Sequence, residues 1–404
     1  MEPVRTAETD QLLLELTQPL GREDPYPRYQ ALRERAPVAL AEDDALVLTR
    51  YADCQAVLQD HSFGRPDTDE VFTSLGLPGW RDMAAIYTLN TSMLTLNPPD
   101  HTRLRRLVNK AFTARTVQRL RPAVHDLVDS LLDELDGGAD FVDTFAFPLP
   151  VGIIGELLGV PESDRAAFQP LVRDWTMILD VYDLGVLERA NLAAAEIRTY
   201  LAALAKERRI NPRDDLISSM VTVTGDDGAV LDEDEVVTMS ALLFSAGFET
   251  TTHLLGNGLV ALVDNPEQAE TLRTSPDLAA TALDELVRFD SSVQISSRVA
   301  LTDTEVAGFH VAKGSRLICY LGAANRDPAK FTDPQRLDLT RRQGAPMSFG
   351  GGIHYCLGAP LARLETQLAF PALVNRYPKL QIAEGAERRA SLTLRGYTKL
   401  PITC

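Results

Sequence analysis

The chain has 404 residues, 45% of them hydrophobic and 24% charged, an ordinary globular composition that excludes global disorder. Forty Lys and Arg against 57 Asp and Glu leave a net charge of −17, a poor match for wrapping nucleic acid or lying on an anionic membrane. The four cysteines, Cys54, Cys319, Cys356 and Cys404, form no C-x-x-C pair, which removes the usual zinc-ribbon and disulfide-framework signatures. No stretch approaches the ~18 uninterrupted apolar residues of a membrane span, and Met1–Asp10 does not read as a signal peptide. The expectation is a cytoplasmic, monomeric protein with no membrane or nucleic-acid partner.

In chain order, Tyr26–Arg35 reads as a helix, Val38–Leu40 and Ala45–Thr49 as strands around the turn Glu42-Asp43-Asp44, and Tyr51–Asp60 as a helix. From Asp100 to Asp264 the pattern is almost entirely helical, as in Leu120, Val124, Leu127, Leu131 and Leu132. Its last part, from about Asp232 to Asp264, predicts one helix of roughly 50 Å crossing the centre of the fold. Leu278–Phe289 is a further helix. Arg298–Leu301, Glu305–Val311 and Ser315–Leu321 read as strands, and Cys356–Tyr377 as a last helix. No linker or repeat divides the chain. The pattern implies one domain, residues 1–404, mainly α with small β-sheets (α+β).

The most informative stretch is Ser348-Phe349-Gly350-Gly351-Gly352-Ile353-His354-Tyr355-Cys356-Leu357-Gly358-Ala359-Pro360. A glycine-rich loop runs into a helix with Cys356 at its start, where helix-end N–H groups favour a thiolate. Three readings compete: a buried structural cysteine, a phosphate loop, and an axial thiolate for haem iron. The phosphate loop lacks G-K-[ST], and Tyr355 stands where G-x-G-x-x-G needs its last glycine. The third reading matches Phe349, Gly350, Gly352, His354, Cys356 and Gly358 at once.

On those residues the chain resembles the cytochrome P450 family, the haem-thiolate monooxygenases, in their soluble actinobacterial form. The resemblance implies the cytochrome P450 fold, a single domain with its long central helix crossing over the haem. The cofactor implied is haem b, iron protoporphyrin IX, with Cys356 as metal ligand and Phe349, Gly350, His354 and Gly358 around it. Other landmarks follow in family order. Ala246-Gly247-Phe248-Glu249-Thr250-Thr251 is poor helix sequence inside the central helix. By resemblance, Ala246 and Gly247 widen the helix beside the cofactor. Glu249 and Thr250 are then the catalytic acid–alcohol pair that delivers protons.

Glu285-Leu286-Val287-Arg288 matches the family's structural E-x-x-R, with Arg336 as the arginine that joins it. His101, Arg105, Arg298 and His354 match the clamp on the haem propionates. His61, His125, His253 and His310 match no landmark and read as structural.

Seven cations and no acid occupy Arg103, Arg105, Arg106, Lys110, Arg115, Arg119 and Arg121, an expected docking face for an acidic electron carrier. The sequence carries no flavin, dinucleotide or iron–sulfur signature. Electrons are therefore expected from a ferredoxin or flavodoxin and its reductase, with NAD(P)H acting only through them. The substrates implied are O2 and a largely apolar small molecule, the latter facing Leu242, Leu243, Ala246, Val293, Gln294 and Ile295. The Thr73–Met93 loop and the Gly396-Tyr397 turn are expected to add to that pocket. The implied activity is hydroxylation or another oxidation, as a tailoring step in secondary-metabolite biosynthesis. The alternatives are epoxidation, oxidative coupling, or a haem-binding sensor without turnover.

Overall fold

The central helix, Glu233–Asp264, starts on a reciprocal cap: the Asp232 side chain accepts from Glu235 N, and Glu235 accepts from Asp232 N. Most of its side chains are buried around the whole circumference, as expected of a helix enclosed by others. It packs against helices Pro148–Leu158, Leu184–Ile210, Ala279–Phe289 and Ala359–Arg376. The largest apolar cluster runs from Phe72 to Ile402 and is built mainly between these helices. The computed structural model describes residues 3–179 and 183–404.

Strands flank the helical mass. The main sheet has the spatial order Val38–Leu40, Leu46–Leu48, Arg316–Tyr320, Ile295–Ala300, Phe63–Gly64. The Leu46–Leu48 and Arg316–Tyr320 pair is parallel and the others antiparallel. The fold is therefore mainly α with small sheets, and helices Tyr26–Arg35 and Tyr51–Gln59 lie where the sequence places them.

Four local expectations change. Glu305–Val311 is not one strand but a hairpin of Thr304–Val306 with Phe309–Val311. Its two-residue turn puts Ala307 at φ 54° and Gly308 at φ 78°, the left-handed pair that such hairpins require; alanine hid the turn signal. The last helix begins at Ala359, three residues after Cys356, because Gly358 is its cap. The Thr73–Met93 segment is not a loop throughout: Ala84–Asn90 is helical, and Trp80, Ala85, Ile86 and Met93 are buried in the main cluster. The central helix is α-helical without interruption through Ala246–Thr251, so no break widens it.

Candidate active site

The glycine-rich loop is shaped by positive backbone angles. Gly350 has φ 70° and Gly352 φ 62°, and a Cβ on Gly352 would lie 2.2 Å from Leu58 O. This close approach folds the loop back so that Cys356 N donates to Phe349 O at 2.9 Å. Phe349 packs against Leu254, Leu283 and Val287, and the Arg363 guanidinium covers its ring. Gly358 has an ordinary φ, and a Cβ there would make only an ordinary contact, 3.9 Å from Cys356 Sγ.

Cys356 is exposed in surface terms, yet burial raises its thiol pKa. The N–H groups of Gly358 and Ala359, with Arg105 and Arg363, act in the opposite direction without overcoming burial. The helix end alone therefore does not make a free thiolate here. Ala246 is also exposed, although it lies mid-helix with Leu242–Ser245 and Phe248–Glu249 buried beside it.

His101, Arg105, Arg298 and His354 come together as expected. The two imidazole rings are 4.4 Å apart, and Arg105 Nη2 donates to Tyr355 O at 2.6 Å. Arg298 is buried and, among the described residues, donates only to Ser296 Oγ and to its neighbour's carbonyl. Burial, then Arg105 and Arg65, push His101 down to about 4. Burial, then Arg65, His101, Arg298 and Arg105, push His354 down to about 2. Both nitrogens of His101 and Nε2 of His354 are buried without a partner. No carboxylate among the described residues pairs with Arg65, Arg105 or Arg298. A cavity of about 270 Å³ lies against Arg298 and His354.

Orphaned imidazoles and uncompensated guanidiniums are costly in a buried place. They fit a group that brings two carboxylates, and the exposed thiol fits a metal at that group's centre. Haem answers both descriptions.

The acid and the alcohol of the central helix face different partners. Thr250 Oγ1 donates to Ala246 O at 2.9 Å. Glu249 is buried and ion-paired with Arg389, with His253 Nε2 at 3.5 Å. Burial alone would raise the Glu249 pKa, but His253, Arg389 and Arg173 outweigh it and hold the carboxyl below its ordinary value. Neither Arg389 nor His253 was recognisable as part of this site. The i,i+4 spacing of Glu249 and His253 was the only available signal.

Three expected residues take other parts. Arg336 is exposed and contributes only its carbonyl. The guanidinium that reaches Glu285 is Arg341, whose Nε lies 3.1 Å from both carboxylate oxygens. Arg288 donates to both Glu285 oxygens and to the carbonyls of Asn325, Pro334 and Arg336. Asn325 in turn accepts from Met347 N and donates to Ser348 Oγ, so the trio anchors the segment leading to Cys356. Gln294 does not face a pocket: it accepts from Tyr29 and donates to Ser291 O in the core. At Gly247 a Cβ would meet Ile154 Cγ1 at 2.8 Å, so its missing side chain serves helix packing. Leu242 and Leu243 are buried, whereas Val293 and Ile295 are half-buried.

A family model described as Cytochrome P450 matches residues 168–396. The chain belongs to the cytochrome P450 family. It is 39% identical over 393 residues to "Polyketide biosynthesis cytochrome P450 PksS" of Bacillus subtilis, covering 95% of this chain and 94% of that one. It is 37% identical over 394 residues to "6-deoxyerythronolide B hydroxylase" of Saccharopolyspora erythraea, covering 94% and 96%. The solved structure of P450BioI in complex with a hexadec-9Z-enoic acid ligated acyl carrier protein superposes with a TM-score of 0.88 at 33% identity. That match covers 95% of this chain and 99% of P450BioI. The cytochrome P450 is thus an oxidoreductase of the monooxygenase type, whose family carries haem on a cysteine thiolate. No helix among its described residues is long and apolar enough to cross a membrane.

Proposed function

We propose that this cytochrome P450 oxidises a largely apolar small molecule as a tailoring step in secondary metabolism, working as a single domain. Two relatives are named for polyketide biosynthesis and for hydroxylation of 6-deoxyerythronolide B, which makes polyketide-derived compounds the first substrates to test. The observation that carries the reading is an exposed Cys356 thiol together with unpartnered buried imidazole nitrogens on His101 and His354 and the guanidiniums of Arg105 and Arg298, which have no carboxylate partner among the described residues. Cys356 would bind the iron, and His101, Arg105, Arg298 and His354 would hold the propionates. Haem so bound supplies the activation of O2.

The chain's own residues supply position and protons. The Thr250 hydroxyl, fixed on Ala246 O, stands on the accessible turn of the central helix and passes protons there. Glu249 is kept ionised by Arg389 and His253, so it would act as a relay that takes up a proton and then passes that same proton on toward Thr250, returning to its ionised form. Leu242, Leu243 and Ala246, with Val293 and Ile295, would line the apolar part of the substrate site. Electrons come from a separate ferredoxin or flavodoxin with its reductase, and NAD(P)H acts only through these partners.

The test is spectroscopic. The purified protein should be red, and its reduced CO complex should show the red-shifted Soret band of thiolate ligation. Cys356→Ala should abolish that band and Cys54→Ala should leave it. A colourless protein from haem-sufficient cells overturns the reading. Substrate-induced spectral shifts across polyketides, presented free and carrier-bound, then separate the substrate classes.

A further inference from the structure

We infer that Arg65, held in place by Asn97, is a third guanidinium of the propionate site. The inference rests on the haem-thiolate reading and extends it to two residues outside every recognisable motif.

Arg65 follows the short strand Phe63–Gly64, which pairs antiparallel with Ile295–Ala300. The register sets Phe63 opposite Ala300 and Gly64 opposite Val299. Continued by one residue, it sets Arg65 opposite Arg298. Like charges directly opposite on paired strands repel, and neither guanidinium is ion-paired with a carboxylate among the described residues. Arg65 Nε is buried without a partner, and Nη1 donates to the Ser297 carbonyl at 3.1 Å. Burial and Arg298 depress the guanidinium to about 9. Arg65 also lies close enough to His101 and His354 to depress both imidazoles.

The backbone of Arg65 is fixed with unusual care for a loop residue. Arg65 N donates to Asn97 Oδ1, and Asn97 Nδ2 donates to Arg65 O, each at 2.8 Å. The amide side chain thus imitates a paired strand. Gly64 permits it, since a Cβ there would stand 2.5 Å from Asn97 Oδ1. Asn97 also lines the cavity that touches Arg298 and His354. A buried Arg298 facing a half-buried Arg65 whose Nε is enclosed, with the Arg65 backbone anchored, is a local rule broken at a site that awaits an anion. Asn97 is the positioning residue, and Arg65 is the group that touches the ligand.

The test measures haem release from the loaded protein to a haem-scavenging apoglobin. Loss of one charge-assisted contact should speed release roughly ten- to a hundredfold in Arg65→Gln. Arg65→Lys should fall between that variant and the wild type. Asn97→Ala should also speed release, and the Arg65→Gln, Asn97→Ala double variant should be no faster than Arg65→Gln alone. A second readout separates binding from folding. In the haem-free protein Arg65→Gln should raise Tm, because repulsion with Arg298 is relieved, while in the loaded protein it should lower it. Unchanged release, or a Tm lowered in both forms, overturns the inference. Failure of the haem-thiolate reading itself would appear separately, as a missing red-shifted band in the wild type.

Discussion

At Gly352 the demands on one residue are explicit: φ is 62° and a Cβ would strike the Leu58 carbonyl. Gly352→Ala is therefore expected to cost more than about 1 kcal/mol of stability, read as a lowered urea midpoint. Glu249 gives a pH test. Its folded pKa lies below the ordinary glutamate value of 4.5, so its stabilising contribution is present above that pH. It is lost as pH falls through the lower folded value. The difference in Tm between wild type and Glu249→Gln should be open near neutrality and should close below about pH 4.5. Arg341 and Arg336 give a paired test. Removing Arg341 leaves part of a buried carboxylate uncovered, so Arg341→Leu should cost about 3–5 kcal/mol, whereas exposed Arg336→Ala should stay within about 0.5 kcal/mol. His101, Arg105, His354 and Cys356 could be nominated from the sequence because each stands in a run that matches a family landmark, and Arg298 from its spacing after Arg288. Arg65, Arg341 and Arg389 could not, because only the folded chain brings them to their partners. Arg389 meets Glu249 across 140 positions, and no local pattern marks such a pair.

At the scale of elements, the sequence set bounds for a handful of helices, and Tyr26–Arg35, Tyr51–Gln59, Glu233–Asp264 and Ala279–Phe289 fall within a residue of them. The reason is that their signals are local: Asp232 and Glu235 form a cap readable on its own, and Asp232→Ala should cost about 1 kcal/mol in urea unfolding. The departures occurred where geometry is decided at a distance or by an untypical residue. Ala307 takes a left-handed angle that its type seldom adopts, and so one hairpin looked like one strand. Gly247 suggested a distorted helix, but Ile154 on a neighbouring helix explains it. The threonines after it remain helical because Thr250 and Thr251 return their hydroxyls to the carbonyls of Ala246 and Gly247. Their polar demand is met inside the helix, so the backbone has no reason to open.

For the whole molecule, the net charge of −17 changes the meaning of the basic run from Arg103 to Arg121. Arg103, Arg106, Lys110 and Arg119 are ion-paired with Glu235, Asp227, Asp226 and Asp214. Arg105 turns to the Cys356 loop. Arg115 and Arg121 make no ion pair among the described residues, so the expected basic face is largely neutralised from within. These exposed pairs are weak and screened. Asn at both Asp226 and Asp227 should raise the rate of reduction by an acidic ferredoxin at low ionic strength, and the gain should vanish at high salt.

The order in which the site's parts are synthesised has its own consequence. Arg65, His101 and Arg105 leave the ribosome long before Arg298, His354 and Cys356. On the proposed assignment, the growing chain thus holds half of a binding site that nothing can yet occupy. Capture of the cofactor must wait until nearly all of the polypeptide is out, and these contacts join only across great separations along the chain. Supply of the prosthetic group then governs the last stage of maturation rather than the first. Cells short of it should accumulate a nearly folded protein whose remaining weakness is concentrated between the Arg65 loop and the Cys356 loop.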